Sequence, residues 1–361
     1  MSILKIRNRL KIFNILYRIM KTKIIATLGP RSENLATIKD MAVAGMDIAR
    51  INFSHATYEQ YLQLKKVVDQ ASAKAKKHIA IMQDLQGPRI RVGVIPGGMM
   101  TLEKGQIYVF GCQDHNPEKN IISINDCLLH RDIKKDDPLF LANGDLELIV
   151  VKVEKHLIHA KVIRGGVLAS HKAINIPKTS IERGGLTSKD IADAKFALKA
   201  GVDYIALSFV QSAADVLKLR KIIKASGSHA RIIAKIERGV ALEAIDEIII
   251  HSDMIMIARG DLGIEIPFED LPIVQKNLIK RAHWHDKPAI VATQMLTSMI
   301  QNSSPTRAEV SDIANAIFDG ADAVMLSDET TVGNYPVQAV EVVKKVVDRM
   351  ERSIYQENIS I

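Results

Sequence analysis

Lys235 and Glu237, two residues apart at the end of the apolar run 232–237, are the first place where this sequence could do chemistry. Strand side chains alternate faces, so these two point one way while Ala234 and Ile236 point the other. A lysine and a carboxylate at the end of a buried strand are costly to desolvate unless they pair or hold a metal. A second apolar run, 254–258, leads directly into Arg259-Gly260-Asp261. Glu237 and Asp261 thereby reach the same end of one sheet. That donor pair suits a hard divalent cation, with Lys235 beside it. A structural ion pair at a strand end fits the same residues, so the surroundings must decide.

The elements that position these residues follow a strand–helix rhythm. Apolar strand patterns lie at 22–28, 47–53, 78–85, 204–209, 232–237, 254–258, 289–293 and 323–326. Helical patterns lie at 32–44, 58–77, 188–200, 213–225, 240–250, 271–285, 307–318 and 336–349. Ser32 is placed to cap the first helix, and Gly45 and Gly201 stand at helix stops. Between 89 and 170 the rhythm breaks. No helix is convincing there, and short runs at 107–110, 138–141, 146–153 and 157–163 are separated by turn residues. This stretch reads as a small all-β domain inserted after the third strand. Setting it and the first 20 residues aside leaves 259 residues, near the roughly 250 of a (β/α)8 barrel. The expected fold is therefore an α/β TIM barrel, residues 21–88 and 171–361, carrying an inserted β lid, residues 89–170. A doubly wound open sheet is the alternative.

Barrels keep their chemistry at the carboxyl ends of their strands. Those ends here carry Asn52-Phe53-Ser54-His55, Asp84, Ser208-Phe209, Lys235 and Glu237, Arg259-Gly260-Asp261, Thr293-Gln294 and Ser327. A scaffold without a site would not need a polar or charged group at nearly every strand end. Arg50, Arg91 and Lys235 with Glu237 and Asp261 suit a phosphorylated anionic substrate and magnesium, where positioning and electrostatics carry phosphoryl transfer. No His-rich metal set argues for zinc hydrolysis, and no GxxxxGK[ST] loop argues for a P-loop enzyme.

The 361 residues are 47% hydrophobic but only 4% aromatic, so the core is aliphatic. The net charge of +8 is uneven: residues 1–19 hold five cations and no acid, leaving +3 for the rest. Such a body does not suggest nucleic-acid binding. Residues 1–20 read as a basic leader or extension, or as sequence ahead of a start at Met20. No apolar run reaches the length of a membrane span. Cys112 and Cys127 form neither a disulfide framework nor a metal-ligand pattern, which fits a reducing cytoplasm.

The chain resembles the pyruvate kinase family. The resemblance rests on residues 22–30 (TKIIATLGP), 44–55 (AGMDIARINFSH), 84–91 (DLQGPRIR), 205–210 (IALSFV), 234–237 (AKIE), 257–267 (IARGDLGIEIP), 292–300 (ATQMLTSMI), 305–315 (PTRAEVSDIAN) and 319–327 (DGADAVMLS). These stretches run through the whole barrel in order. The resemblance implies phosphate transfer from phosphoenolpyruvate to ADP, giving pyruvate and ATP in glycolysis. It implies that Glu237 and Asp261 hold Mg2+, that Lys235 stabilises charge on the phosphoryl group and enolate, and that Arg50 grips the phosphate. Thr293 and the backbone at Gly260 would line the enolpyruvate pocket. Asn52, Ser54, Asp84 and the carbonyl of Leu85 match the family's monovalent-cation ligands. Asn52, His55, Arg91 and Lys172 match positions near the nucleotide, and the insert matches a lid.

Four departures stand out. Arg89 occupies a position that is usually Glu in potassium-requiring members and Lys in the others; a fixed guanidinium there predicts that K+ is dispensable. Asp328 replaces a small residue. Lys178 and the run 182–185 differ in the return from the lid. The chain also stops at Ile361, where the family usually continues into a further α/β domain, so that domain and its type of allosteric site are expected to be absent. A homodimer through barrel helices is a further expectation. Two rival readings remain at this point. One is a catalytically impaired, truncated paralogue serving ligand binding or assembly. The other is a different metal-dependent barrel such as an aldolase or lyase, which leaves the lid insertion and the 52–55 and 84–91 stretches unexplained.

Overall fold

The computed structural model describes residues 22–112, 121–177, 179 and 184–359. Eight parallel strands close into a barrel: β1 (Lys23–Thr27), β2 (Ile48–Asn52), β3 (Ala80–Asp84), then β12 (Tyr204–Leu207), β13 (Arg231–Ile236), β14 (Met254–Ala258), β15 (Ala289–Ala292) and β16 (Ala323–Leu326). Their order around the barrel is β1-β16-β15-β14-β13-β12-β3-β2. The closed sheet excludes the doubly wound alternative.

The strands are buried on both faces, as a parallel sheet covered by helices must be. Ile232, Ala234 and Ile236 of β13 face the outer core shared with the helices, whereas Ile233 joins the barrel interior with Ile25, Met82 and Met256. This alternation aims Lys235, the residue after Ala234, down the barrel axis. Several helices start on a capping box, with Thr57 and Gln60, Thr187 and Asp190, Ser212 and Asp215, and Thr306 and Glu309 exchanging hydrogen bonds with the backbone. The first helix, Leu35–Ala44, is capped by Asn34 rather than Ser32, whose hydroxyl instead accepts from the Gly29 N–H.

At the amino end of the barrel the same device recurs four times. Asp47 accepts the N–H of Ile24, Asp203 that of Ile81, Asp253 that of Ile232 and Asp322 that of Ala289. Each carboxylate satisfies a strand-start donor that has no ladder partner.

Between β3 and β12 lie eight more strands: β4 (Met99–Leu102), β5 (Ile107–Gly111), β6 (Ile121–Ser123), β7 (Pro138–Leu141), β8 (Leu146–Glu154), β9 (Leu157–Arg164), β10 (Gly166–Ala169) and β11 (Ile174–Asn175). They form a six-stranded sheet, β11-β7-β8-β9-β5-β6, and a two-stranded one, β10-β4. This insert has a core of its own around Phe110, Leu139, Leu148 and Ile158.

Several sequence expectations change. The insert's sheet includes β11 and so runs past residue 170. It contains a short α-helix, Leu129–Asp132. The last helix, Pro336–Ile359, continues beyond residue 349. Cys112 and Cys127 are joined in a disulfide, with Cα atoms 4.8 Å apart, inside the usual bridging range. The parallel pairing of Gly111 with Ser123 brings the stretches that carry the two cysteines, 15 positions apart, into one neighbourhood, a closure that spacing alone does not reveal. Among the described residues, no helix is long and apolar enough to cross a membrane. The leader, Lys178 and residues 182–183 lie outside the described residues.

Candidate active site

The carboxyl ends of the barrel strands enclose a cavity of about 90 Å³. Of the residues singled out in the sequence, Arg50, Asn52, Ser54, Asp84, Leu85, Arg89, Lys235, Glu237, Asp261 and Thr293 all line it. Gly260 stands at its edge, its N–H donating to the Thr293 hydroxyl at 2.8 Å.

Charged groups form the floor. Lys235 Nζ lies 2.9 Å from Glu237 Oε1 and 3.1 Å from Asp84 Oδ1, and it donates to Ser208 Oγ at 2.8 Å. Arg50 donates to Asp84 Oδ2 through Nε at 2.7 Å and to Thr27 Oγ1 through Nη1 at 2.8 Å. Glu237 also accepts the Phe209 N–H at 2.7 Å. Asp84 and Glu237 are 1% and 2% exposed, so none of these charges could persist without its partners.

Burial alone would raise the Asp84 carboxyl, but the Lys235 and Arg50 charges outweigh it and hold Asp84 below its ordinary range. Burial would lower Lys235, and the Asp84 and Glu237 carboxylates more than reverse that. Glu237 goes the other way. Burial raises it, Lys235 offsets only part, and the neighbouring Asp261 and Asp84 carboxylates add to the rise. Of the buried groups in this network, Glu237 is the carboxylate whose charge is least compensated. Glu237 and Asp261 line one cavity and could hold a divalent cation that takes two carboxylates and leaves its other positions to water and substrate oxygens. Among the described residues, no group of three or more His, Cys, Asp or Glu side chains is arranged as a complete protein-only metal cage.

Arg89 reaches across the mouth. Its Nη2 pairs with Asp261 Oδ1 at 3.0 Å, and its guanidinium lies over the Phe209 ring, 5.8 Å from the centroid. A fixed cation thus shares the cavity with Asn52, Ser54, Asp84 and Leu85.

Thr293 has φ of 70° and Gln294 of 55°. Left-handed backbone at a β-branched residue costs about 1–3 kcal/mol and survives only where its surroundings over-determine it. Here Arg259 supplies the constraint, bonding the Thr293 carbonyl at 2.8 Å and the Asp312 carboxylate at 2.7 Å. The strained turn aims the Thr293 hydroxyl at Gly260. Gly260 and Asp261 sit in the first turn of a short helix, Arg259–Glu265, rather than in an extended strand end.

The other expected site residues lie elsewhere. His55 lines an adjoining cavity of about 820 Å³ with Arg50, Asn52, Pro30 and Asp328; Asp328 itself is exposed. Arg91 belongs to the lid, where its Nη1 donates to the His171 carbonyl at 3.0 Å and its backbone bridges to Ala173. Lys172 is exposed beside it. Neither lines the central cavity.

Sequence reasoning missed some partners outright. Thr27 and Arg259 were not singled out as supports. Buried Arg238 bonds Glu265 at 3.0 Å and the carbonyls of Ile176 and Thr179, tying the barrel to the return from the lid. An arginine directly after Glu237 was the available signal.

A (β/α)8 barrel with an inserted β domain, and with a lysine, arginines and carboxylates gathered at its strand ends, has the architecture of a barrel enzyme that acts on an anionic group. A family model described as "Pyruvate kinase, barrel domain" matches residues 19–340. A pyruvate kinase of Thermococcus litoralis is 45% identical over 94% of this chain and 71% of its own length. One of Thermotoga maritima is 42% identical, over 92% and 72%. One of Geobacillus stearothermophilus is 42% identical over 94% of this chain and 58% of its own. The crystal structure of a pyruvate kinase from Cryptosporidium parvum superposes with a TM-score of 0.87 at 36% identity, covering 93% of this chain and 70% of that one. The chain belongs to the pyruvate kinase family, and it is a phosphotransferase.

Proposed function

We propose that the barrel mouth moves a phosphoryl group from phosphoenolpyruvate to ADP, with Lys235, Arg50 and Thr293 as its catalytic residues. The observation that carries these roles is the buried network in which Lys235 bridges Asp84 and Glu237 beside Asp261. Glu237 and Asp261 would hold Mg2+, which when bound supplies positive charge to the phosphate oxygens of the substrate. Arg50, fixed by Asp84 and Thr27, presents its guanidinium to the phosphate without reorganising. Lys235 is held protonated by its two carboxylates and stabilises the charge that develops on the phosphoryl group and the enolate oxygen. Thr293 and the Gly260 backbone shape the enolpyruvate side. Asn52, His55, Arg91 and Lys172 meet the nucleotide, the last two when the lid comes down, which excludes water and strengthens each charge interaction.

Arg89 supplies the charge that a monovalent cation would bring among Asn52, Ser54, Asp84 and Leu85, so turnover needs no K+. Arg89→Glu is expected to turn a potassium-indifferent protein into one stimulated by added potassium. Wild-type activity that depends on potassium in a sodium- and potassium-free buffer would refute the replacement. A cytoplasmic setting and a homodimer through barrel helices accompany this reading; size-exclusion chromatography with light scattering checks the dimer.

Coupling pyruvate formation to NADH consumption tests the activity. Magnesium-dependent turnover with phosphoenolpyruvate and ADP is expected, and a folded protein without turnover would overturn the assignment.

A further inference from the structure

The insert carries a second cluster of chemistry-bearing residues, remote in kind from the barrel mouth. Cys112, Cys127, His130 and His156 line one open cavity of about 520 Å³. Three separate parts of the backbone bring them there. Cys112 follows β5, and continuing the antiparallel register in which Phe110 faces Ile158 sets Cys112 opposite His156. His156 itself lies in the β8–β9 hairpin turn, next to Lys155 with φ of 52°. Cys127 and His130 flank the start of the short helix Leu129–Asp132, and the disulfide holds Cys127 to Cys112.

The two imidazoles converge. His156 Nδ1 lies 3.4 Å from His130 Nε2, with the rings 79° apart. Two nitrogens on one tetrahedral zinc, each about 2.0–2.1 Å from the metal, stand about 3.4 Å from each other. The same metal would need its two sulfurs about 3.8 Å apart, a separation that cysteines with Cα atoms 4.8 Å apart can reach once the bridge is open. Two sulfurs and two imidazoles select zinc among the common divalent cations.

We infer that Cys112, Cys127, His130 and His156 form a zinc site that exists only when the Cys112–Cys127 disulfide is reduced. With the bridge closed, only the two imidazole nitrogens remain as donors. A dithiol or phosphine reductant opens the bridge and leaves two thiols. Their two protons go to solvent as zinc binds, leaving two thiolates and two neutral imidazoles on the metal. The cations Arg131 and Lys155 line the same cavity and favour the thiolate form. Cys112, Cys127 and His156 are exposed, so both reductant and metal can reach them.

Cobalt(II) titration of the full chain tests the site, because thiolate ligation gives a charge-transfer band and tetrahedral geometry gives intense visible bands. After phosphine reduction, one equivalent of cobalt should develop both features, and zinc should bleach them. The disulfide form should show neither. His130→Gln combined with His156→Gln should weaken cobalt binding by more than the roughly 10- to 100-fold seen when a mere outer-shell partner is lost. The single variant His156→Gln, on an exposed turn, provides the same reading with less risk to folding. Cobalt held by Glu237 and Asp261 has only oxygen donors and no charge-transfer band, so failure here and failure at the barrel mouth are distinguishable. No thiolate band in the reduced chain, an unchanged band in the histidine variants, or equal binding by the disulfide form would overturn the site.

Discussion

The two ends of the barrel use the same residue types for opposite ends. At the amino end, Asp47, Asp203, Asp253 and Asp322 each take a strand-start N–H. Such a carboxylate meets an orphan donor and completes the sheet. At the carboxyl end, Asp84, Glu237 and Asp261 crowd one cavity and share Arg50, Lys235 and Arg89. There the carboxylates mainly pair with cations, only Glu237 of the three also taking a backbone N–H, and Glu237 is left raised by burial and by its acidic neighbours. The difference separates acids that close the sheet from acids that gather cations in one cavity.

Substitutions at the two ends should therefore fail in different ways. The largest effect is expected from Lys235→Met. Turnover should fall by about 10³-fold or more, the scale of losing a preorganised charge-stabilising group, while far-UV circular dichroism stays that of the wild type. Near-normal turnover would sink the mechanism.

Asp84→Asn comes next and should cost stability as well as activity. It leaves Arg50 unpaired in a buried setting, a loss of about 3–5 kcal/mol, read by urea unfolding at neutral pH. The folded-state Asp84 carboxyl is depressed below its ordinary value of 3.8. Its contribution is thus complete above that value and disappears as pH falls through the lower folded one. The gap between wild type and variant should stay constant from neutrality to about pH 4 and close below it; a gap that closed at higher pH would contradict the ion-pair account.

Glu237→Gln should raise the magnesium needed for half-maximal turnover by about 100-fold, the upper end of what even outer-shell ligand changes cost, with less effect on the fold than Asp84→Asn. The smallest functional effect belongs to the other end. Asp253→Asn should lose about 1–3 kcal/mol of stability, the penalty of an imperfectly satisfied buried donor, while kcat and KM remain those of the wild type. A kinetic change comparable to that of Glu237→Gln would erase the distinction between the two ends.

The barrel was legible because its signals are local. Eight apolar runs, helix stops such as Gly45 and Gly201, and the alternation through 232–237 all act over a few residues, and they located Lys235, Glu237, Asp261 and Thr293 at strand ends. The insert was legible only as a change of rhythm. Apart from the local β7–β8 and β8–β9 connections its strands pair between distant stretches of chain, so neither the order β11-β7-β8-β9-β5-β6 nor the closure of Cys112 onto Cys127 can be read from spacing. Arg89 could be singled out by type, but not its choice of Asp261.

The sequence by itself determined which side chains reach the barrel mouth, because strand periodicity and chain direction dictate face and end. Tertiary structure alone decided who pairs with whom. Lys235 meets Asp84 across 151 residues and Arg259 holds Asp312 across 53, contacts that exist only because closing the barrel brings distant strands side by side. Charge partners at such separations are chosen by the geometry of closure and by the cost of burying any of them alone.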